Sequence, residues 1–390
     1  MRNAANKPNL NLLLISASLL LATLLSASAQ AEVRTYEASD SISQFVRDNA
    51  PDYWAWNKTH AKEYFGKLAD QEGIVIGDAH PGNFIFSKLN GKMKFFIMDI
   101  KDAGKGSFIV DIAHQIMATN VVLKEGDADI EKATEKQLEA YLLGLTNKEY
   151  KIHDDIKWIF ETSGVEFDRK VGDYVTDKTK DDHFKYKTGM IEPLENFVRN
   201  SKLRSELKAG IQAAVRKSLP GSKVLDFAYR PRERGGSKNL KRYWALVDSK
   251  GERMILEFKE IEAPAVAQYS KQLSASKRFD LVMKTLWGVN DPLYQAVEID
   301  GKPFWMRPKK IDVFDIPYQQ NNEDDEKFLR HIATYEAYLM GRYHGKQLKG
   351  KQFADEIEHQ SGSLAENINS MSNDYIERLT EKVNQLKKDQ

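Results

Sequence analysis

The sequence contains no cysteine. Disulfide bonds, thiolate metal sites and a lipid anchor on an N-terminal cysteine are therefore excluded, and an ordinary hydrophobic core must stabilise the fold. The sequence also has no large excess of either charge, because it contains 57 Asp and Glu residues and 58 Lys and Arg residues. A chain without excess positive charge has no general electrostatic attraction to nucleic acid or to anionic membranes. We expect neither as a partner.

Long hydrophobic runs are missing too, since none reaches the ~20 residues that a membrane-spanning helix needs. The apolar run from Leu12 to Leu25 follows Arg2 and Lys7 and precedes a tract of small residues that ends at Ala31. These three parts are typical of a secretory signal peptide. We therefore expect cleavage after Ala31 and a periplasmic or secreted mature protein without stable membrane insertion. An uncleaved membrane anchor is the alternative.

A polar segment with the sequence GDAHPGNF extends from Gly77 to Phe84, between two stretches that are typical of strands. Asp78 and Asn83 have the spacing of a phosphotransferase catalytic loop, in which the Asp accepts a hydroxyl proton and the Asn binds magnesium. His80, between them, is the second catalytic candidate. Because Asp, Gly, Pro and Asn are also common turn residues, the segment could instead be a polar turn without chemistry.

A second acidic element follows the next predicted hairpin, whose turn is at Asn90 and Gly91. Asp99 and Asp102 come directly after its second strand. Phosphoryl transfer needs hard oxygen ligands for magnesium and one carboxylate that orients the attacking hydroxyl. We therefore predict metal binding by Asn83, Asp99 and Asp102.

A nucleotide-covering lobe needs about five strands and a helix, or roughly 70 residues, and the segment before Gly77 is too short for it. Strands are predicted later in the chain, at residues 224–229, 243–247 and 254–258. The first turn between them contains Gly235, Gly236 and Ser237, where backbone N–H groups could approach phosphates closely. Lys259 ends the third strand and could hold the α- and β-phosphates. A plain hairpin with a solvated strand lysine is the alternative.

Together these motifs resemble a bacterial family catalogued as domain of unknown function 2252, and more broadly the aminoglycoside-phosphotransferase-like kinases. The shared features are the loop from Gly77 to Phe84, the acidic segment from Asp99 to Asp102, the Gly-Ser turn, and the Lys259-Glu260 strand end. The resemblance covers nearly all of residues 40–350. It implies an α+β, bilobal protein-kinase-like fold with a mostly antiparallel small lobe and a helical large lobe. It also implies ATP and magnesium as cofactors and a hydroxyl-bearing substrate.

In such kinases a helix with a histidine near its end precedes the catalytic loop, whereas here the matching residue, His344, lies near the C-terminus. The order therefore predicts a circular permutation. It divides the chain into a signal peptide (1–31), the catalytic-loop and helical part of the large lobe (32–219), the small lobe (220–310) and C-terminal helices that complete the large lobe (311–390). Asp111 resembles the helix-start Asp that follows the metal-binding strand in these kinases, or it is a helix cap without chemistry.

Glutamate is absent from residues 263–297, where kinases place the helix Glu that pairs with the strand Lys, and Glu262 is the nearest candidate. An exported protein also meets little ATP. Three hypotheses follow: an ATP- and magnesium-dependent phosphotransferase, which we favour; a non-catalytic ligand-binding or interaction protein of the cell envelope; and a metal-dependent hydrolase. In the third, Asp78, His80, Asp99 and Asp102 are the ligands of a transition metal.

The signal peptide gives the first prediction. Protein recovered from the cell envelope should begin at Glu32, because the small-residue tract that ends at Ala31 has the pattern of a cleavage site. N-terminal sequencing or intact-mass measurement checks this. An N-terminus still at Met1 would instead indicate a membrane anchor.

Overall fold

The structure, a computed structural model, describes residues 42–124, 129–231, 240–288, 291–309, 323–360 and 364–388. The predicted signal peptide and the predicted phosphate-binding turn at Gly235, Gly236 and Ser237 lie outside the described residues.

Helices contain most of the residues that the structure describes. They are α1 (Ile42–Asp48), α2 (Ala50–Phe65), α3 (Phe108–Lys124), α4 (Ile130–Leu145), α5 (Asp154–Lys178), α6 (Leu194–Phe197), α7 (Ser201–Ser218), α8 (Ala275–Val282), α9 (Glu323–Gly345), α10 (Leu348–Gln360) and α11 (Leu364–Lys388). Short 3₁₀ turns cover Gly66–Asp70, Pro81–Asn83 and Ala265–Gln268, and a π turn covers Met283–Trp287.

Strands make one large sheet and several two-stranded ribbons, all with antiparallel pairing. They are β1 (Glu72–Val75), β2 (Phe84–Leu89), β3 (Lys92–Ile97), β4 (Gly104–Ser107), β5 (Thr179–Lys180), β6 (His183–Phe184), β7 (Glu192–Pro193), β8 (Lys223–Tyr229), β9 (Arg242–Ser249), β10 (Glu252–Glu260), β11 (Gln295–Ile299) and β12 (Lys302–Pro308). The ribbons are β1–β4, β2–β3 and β5–β6. The predicted α+β class and its antiparallel sheet are confirmed.

The large sheet has the strand order β11-β12-β10-β9-β8-β7. Leu256 and Phe258 of β10 face an apolar cluster that includes Ile211 and Val215 of α7. Because side chains alternate along a strand, Glu257 and Lys259 point to the opposite face. One face of this sheet is therefore an ordinary core, and the other presents charged groups.

Turn chemistry sets the hairpins of the sheet and of the β2–β3 ribbon. Asn90 and Gly91 both have positive φ, and so do Asp300 and Gly301 between β11 and β12. Two consecutive residues of this kind form the tight turn whose twist matches that of paired strands. The sequence predicts both hairpins, since Asp300-Gly301 also separates two stretches typical of strands, and both are confirmed.

The helical body is built around α3, which is buried from Phe108 to Leu123. Helices α4 and α9 approach each other closely at Gly144 and Gly341, where an added Cβ would lie 2.1 Å from a backbone oxygen of the other helix. This close approach brings His344, at the end of α9, beside Tyr141 of α4, and their side chains are 2.9 Å apart.

Three local features differ from what the sequence predicts. The segment Gly104–Ser107 was not predicted as a strand, yet it pairs with β1, because its small residues leave room for a large neighbour. A Cβ on Gly106 would lie 3.1 Å from the Trp54 ring. Helix α3 begins at Phe108 rather than at Asp111. The sequence pattern predicts a helical stretch over residues 265–287, but the structure divides this stretch into a 3₁₀ turn, α8 and a π turn.

Glu336, on the inner face of α9, gives the second prediction. Its Oε2 accepts a hydrogen bond from Gln115 at 2.6 Å, its Oε1 has no partner among the described residues, and burial raises its pKa well above the usual value. The folded state therefore keeps a proton that the unfolded chain releases above about pH 4.3, and stability falls as the pH rises beyond that point. Glu336→Gln should raise the melting temperature at neutral pH, by about 2–4 °C for each kcal/mol recovered.

The advantage of Glu336→Gln should grow from about pH 5 to about pH 8, because the amide resembles the protonated acid. Thermal unfolding across this pH range measures it. Glu381→Gln, an exposed change on α11, is the control and should show no such trend. A Glu336→Gln protein that loses stability at every pH would mean that the carboxyl is ionised in the folded state.

Candidate functional site

The segment from Gly77 to Asn83 is held in place by the buried carboxylate of Asp111. Asp111 Oδ2 accepts the backbone N–H of Ile76 at 2.9 Å, and Oδ1 accepts that of Gly77 at 2.8 Å. His344 Nε2 lies 3.3 Å from Asp111 Oδ2. Asp111 lies in the first turn of α3, but these bonds go to the segment that enters the loop. It is therefore a positioning residue for the loop.

Gly77 is required by both its conformation and its surroundings. Its φ is +79°, in the region that favours glycine. A Cβ at this position would lie 2.0 Å from the backbone oxygen of Asp102. Its own oxygen accepts a hydrogen bond from Trp54 Nε1 at 2.5 Å. The loop is thus pressed against the acidic segment that follows β3.

Asp78, His80 and Asn83 are all buried in this loop. His80 Nδ1 accepts the N–H of Gly82 at 3.1 Å, which leaves the proton of the neutral ring on Nε2, 3.8 Å from Asp78 Oδ1. Asn83 Nδ2 donates to the backbone oxygen of Asp78 at 2.8 Å. The three predicted residues are therefore brought together, with the Asn amide fixing the backbone that carries the Asp.

Asp99 meets Lys259, although 160 positions separate them in the sequence. The order of the motifs predicts that Lys259 and Asp99 face each other across a cleft between two lobes, and Lys259 Nζ does lie 3.2 Å from Asp99 Oδ2. Burial lowers the pKa of Lys259 to about 7. The negative charge of Asp99 raises this pKa and so offsets only part of the effect of burial. Burial would raise the pKa of Asp99, but Lys259 and Arg307 outweigh it and hold this pKa well below its usual range.

Asp102, the third predicted metal ligand, has both carboxylate oxygens in use. Oδ1 accepts the N–H of Ala265 at 3.0 Å, and Oδ2 accepts a hydrogen bond from Lys101 Nζ. In this structure Asp102 joins the acidic segment to the chain that follows β10. Its role as a metal ligand stays a prediction.

Lys101 is a site residue that the sequence reasoning missed. Its ammonium contacts Asp102. Burial would lower the pKa of Lys101, but Asp102 and Asp78 outweigh it and raise this pKa above its usual value. A cation is therefore built into the group of carboxylates. The signal available in the sequence was its place between two acidic residues in Asp-Ile-Lys-Asp, which does not reveal what the side chain contacts.

Arg278 of α8 was also missed. Its Nη1 donates to the backbone oxygen of Lys101 at 2.8 Å and to that of Ala103. The helix that follows the Lys259 strand thus holds the acidic segment through an arginine. The ion pair that the structure gives to Lys259 is with Asp99.

Glu257 organises the charged face of the large sheet. It is fully buried, and its Oε1 accepts hydrogen bonds from Arg307 Nε and Nη2 at 3.1 and 2.8 Å. Its Oε2 accepts from Trp244 at 3.2 Å and lies 3.5 Å from Arg242 Nη1. Burial would raise the pKa of Glu257, but Arg307 and Arg242 outweigh it and hold this pKa well below its usual range. The alternating pattern Leu-Glu-Phe-Lys was the signal for this residue.

Two kinds of feature are absent from the described ranges, namely a cluster of metal ligands and a membrane-spanning helix. Among those residues, no three His, Asp or Glu side chains form a cluster that could hold a metal ion. Likewise, none of the described helices is both long and apolar enough to cross a bilayer.

A family model described as "uncharacterized protein conserved in bacteria" (DUF2252) matches residues 65–389. No curated protein and no solved structure matches the chain.

The third prediction concerns Asp111. Asp111→Asn keeps the shape but replaces one acceptor oxygen by an NH₂ group, so one of the two loop N–H groups loses its partner. A buried polar group left unsatisfied costs about 1–3 kcal/mol, more for charged groups, so the free energy of unfolding should fall by at least this amount. Urea unfolding measures the change. Asp129→Asn, at the exposed N-cap of α4, is the control, because Asn and Asp cap helices equally well. Equal effects of the two substitutions would contradict the role given to Asp111.

Proposed function

The chain belongs to the DUF2252 family, and we propose that it is an exported phosphotransferase that transfers the γ-phosphoryl group of ATP, with magnesium, to a hydroxyl group. The observation that carries this proposal is the 3.2 Å contact between Lys259 and Asp99, which joins a sheet lysine to the acidic segment beside the loop of Asp78 and Asn83. Phosphoryl transfer needs little else from a protein than positioned charges and metal ligands.

Each residue takes the role that its chemistry suits. Asp78 accepts the proton of the attacking hydroxyl. His80 lies beside Asp78 and restricts the rotation of the Asp78 carboxylate. Asn83 and Asp99 offer the hard oxygen atoms that magnesium prefers. Lys259 binds phosphate oxygens. Magnesium, when bound, would neutralise the charge that develops on the phosphates.

The arrangement of elements supports a permuted kinase-like fold. Strands β8, β9, β10, β12 and β11 are neighbours in one sheet, and α8 follows β10 in the chain, which is the complement that a nucleotide-covering lobe needs. His344 ends α9 and lies beside Asp111, which holds the catalytic loop. This contact supports the proposal that α9, from the C-terminal part of the chain, takes the role of the helix that precedes the loop in such kinases.

One observation favours a second function, a non-catalytic nucleotide-binding protein of the cell envelope. The Lys101 ammonium contacts Asp102, and the carboxylates of Asp78 and Asp99 act on it as well. It supplies some of the positive charge that magnesium would otherwise bring. A protein with this built-in cation could bind phosphates without catalysis.

The fourth prediction tests the phosphotransferase. Magnesium-ATP at ~100 times its dissociation constant should add about 2.7 kcal/mol of stability, seen as a rise of a few °C in melting temperature. Asp99→Ala should abolish the magnesium-dependent part of this rise, and Lys259→Met the whole of it. Asp78→Asn should keep nucleotide binding and lose phosphoryl transfer.

Lys302→Met is the matched control, because Lys302 is also a strand lysine beside a carboxylate, at 3.6 Å from Glu260, but is half exposed. Nucleotide binding that is independent of magnesium and of Asp99, without transfer to any hydroxyl acceptor, would favour the second function. A mature protein that binds no nucleotide under either condition would remove both.

A further inference from the structure

The guanidinium of Arg307 is only partly used by the protein. Its Nε and Nη2 donate to Glu257, while Nη1 is buried and has no hydrogen-bond partner within the described residues. The side chain is 5% exposed, so bulk water is not a ready substitute. A buried charged donor without a partner is costly, and this edge of the guanidinium therefore suits an anionic ligand.

Arg307 lies on the same sheet face as Lys259. Glu257 is opposite Arg307, and Lys259 is opposite Trp305, so Lys259 and Arg307 are diagonal neighbours on β10 and β12. Diagonal neighbours on one face have their Cβ atoms roughly 7–8 Å apart or somewhat less. Arg307 also lowers the pKa of both Asp99 and Lys259, which places its charge in the same cleft.

The orientation of Arg307 is fixed from two sides. Nε and Nη2 both donate to Oε1 of Glu257, and the guanidinium carbon, Cζ, lies 4.4 Å from the centre of the Trp305 ring. Charge-assisted hydrogen bonds to a carboxylate, together with a cation–π contact, restrict the orientation of a guanidinium. Arg307 is thus held before any ligand arrives.

We propose that Arg307 and Lys259 together bind a polyphosphate group, either a diphosphate or a triphosphate, with Glu257 and Trp305 as positioning residues. An anion with one small charged group would reach one of the two cations, whereas linked phosphates can reach both. Arginine matches phosphate with a planar pair of donors, and lysine acts as a point charge. The inference rests on the proposed function for the identity of the cleft, but it requires neither magnesium nor phosphoryl transfer.

Titration calorimetry of the mature protein in EDTA, with sodium tripolyphosphate as the probe, tests this. Pyrophosphate, orthophosphate and ATP are the comparison ligands. We expect tripolyphosphate and ATP to bind without metal and orthophosphate to bind far more weakly. Arg307→Met should raise the dissociation constant for tripolyphosphate roughly ten- to a hundredfold, which is the range for losing hydrogen bonds to a charged group.

Arg307→Met alone could prevent folding, because it leaves the buried carboxylate of Glu257 with fewer hydrogen-bond partners. A second variant is therefore needed. Glu257→Gln/Arg307→Met removes one charge of each sign, and buried ion pairs are often replaced as a pair without loss of stability. It should lose tripolyphosphate binding to the same extent. Arg253→Met is the control, since Arg253 is on the same strand β10, pairs with Asp182 at 2.6 Å, and is exposed. It should bind tripolyphosphate like the native protein.

The outcomes separate this inference from the proposed function. If the folded double variant binds tripolyphosphate as tightly as the native protein, the inference is wrong, even where magnesium-ATP is still bound and used. If tripolyphosphate binds through Arg307 but no phosphoryl group is ever transferred from ATP, the inference holds and the phosphotransferase does not. If neither tripolyphosphate nor ATP binds to the native protein, both are overturned.

Discussion

The carboxylate of Asp111 is the group on which the conformation of the loop from Gly77 to Asn83 depends. It is fully buried, and a buried carboxylate is tolerated only when its oxygens are hydrogen-bonded or paired with charge. The N–H groups of Ile76 and Gly77 and the ring of His344 supply those partners. The loop, the buried helix α3 and the end of α9 are therefore held at one point, and the conformation of the loop does not depend on a ligand.

The charges in the cleft compensate one another in a similar way. Lys259 contacts Asp99 and Lys101 contacts Asp102, so each carboxylate of the acidic segment has an ammonium beside it. A single buried charge costs much free energy, whereas a buried pair of opposite charges is tolerated. Under the proposed function, a ligand that binds beside these residues must therefore compete with an existing ion pair or add to it. A multiply charged anion, with or without its metal, is the kind of ligand that can do so.

Local features of the structure could be predicted from the sequence, and contacts between distant side chains mostly could not. Asn90-Gly91 and Asp300-Gly301 determine their hairpins through backbone preference alone, without help from the rest of the fold. The proximity of Lys259 and Asp99 is an exception, because the order of the motifs in the sequence predicts it. Strand β4 was missed because Gly-Lys-Gly-Ser has no apolar alternation, and its fit against Trp54 is a tertiary property. The partners of Lys101 and Arg278 are likewise set only by the folded chain.

The missing helix glutamate has a physical counterpart in Arg278. In the proposed kinase-like arrangement, a Glu on the helix after the lysine strand would couple that helix to the phosphate site. Here α8 donates hydrogen bonds from Arg278 to the backbone oxygens of Lys101 and Ala103, while Asp99 takes the place beside Lys259. Helix α8 is thus coupled to the acidic segment instead of to Lys259. The side chain that makes this connection is a positively charged arginine, where a kinase would have a negatively charged glutamate. The lack of Glu between residues 263 and 297 therefore does not separate α8 from the cleft, because a displacement of the helix would still move the segment that carries Asp99 and Lys101.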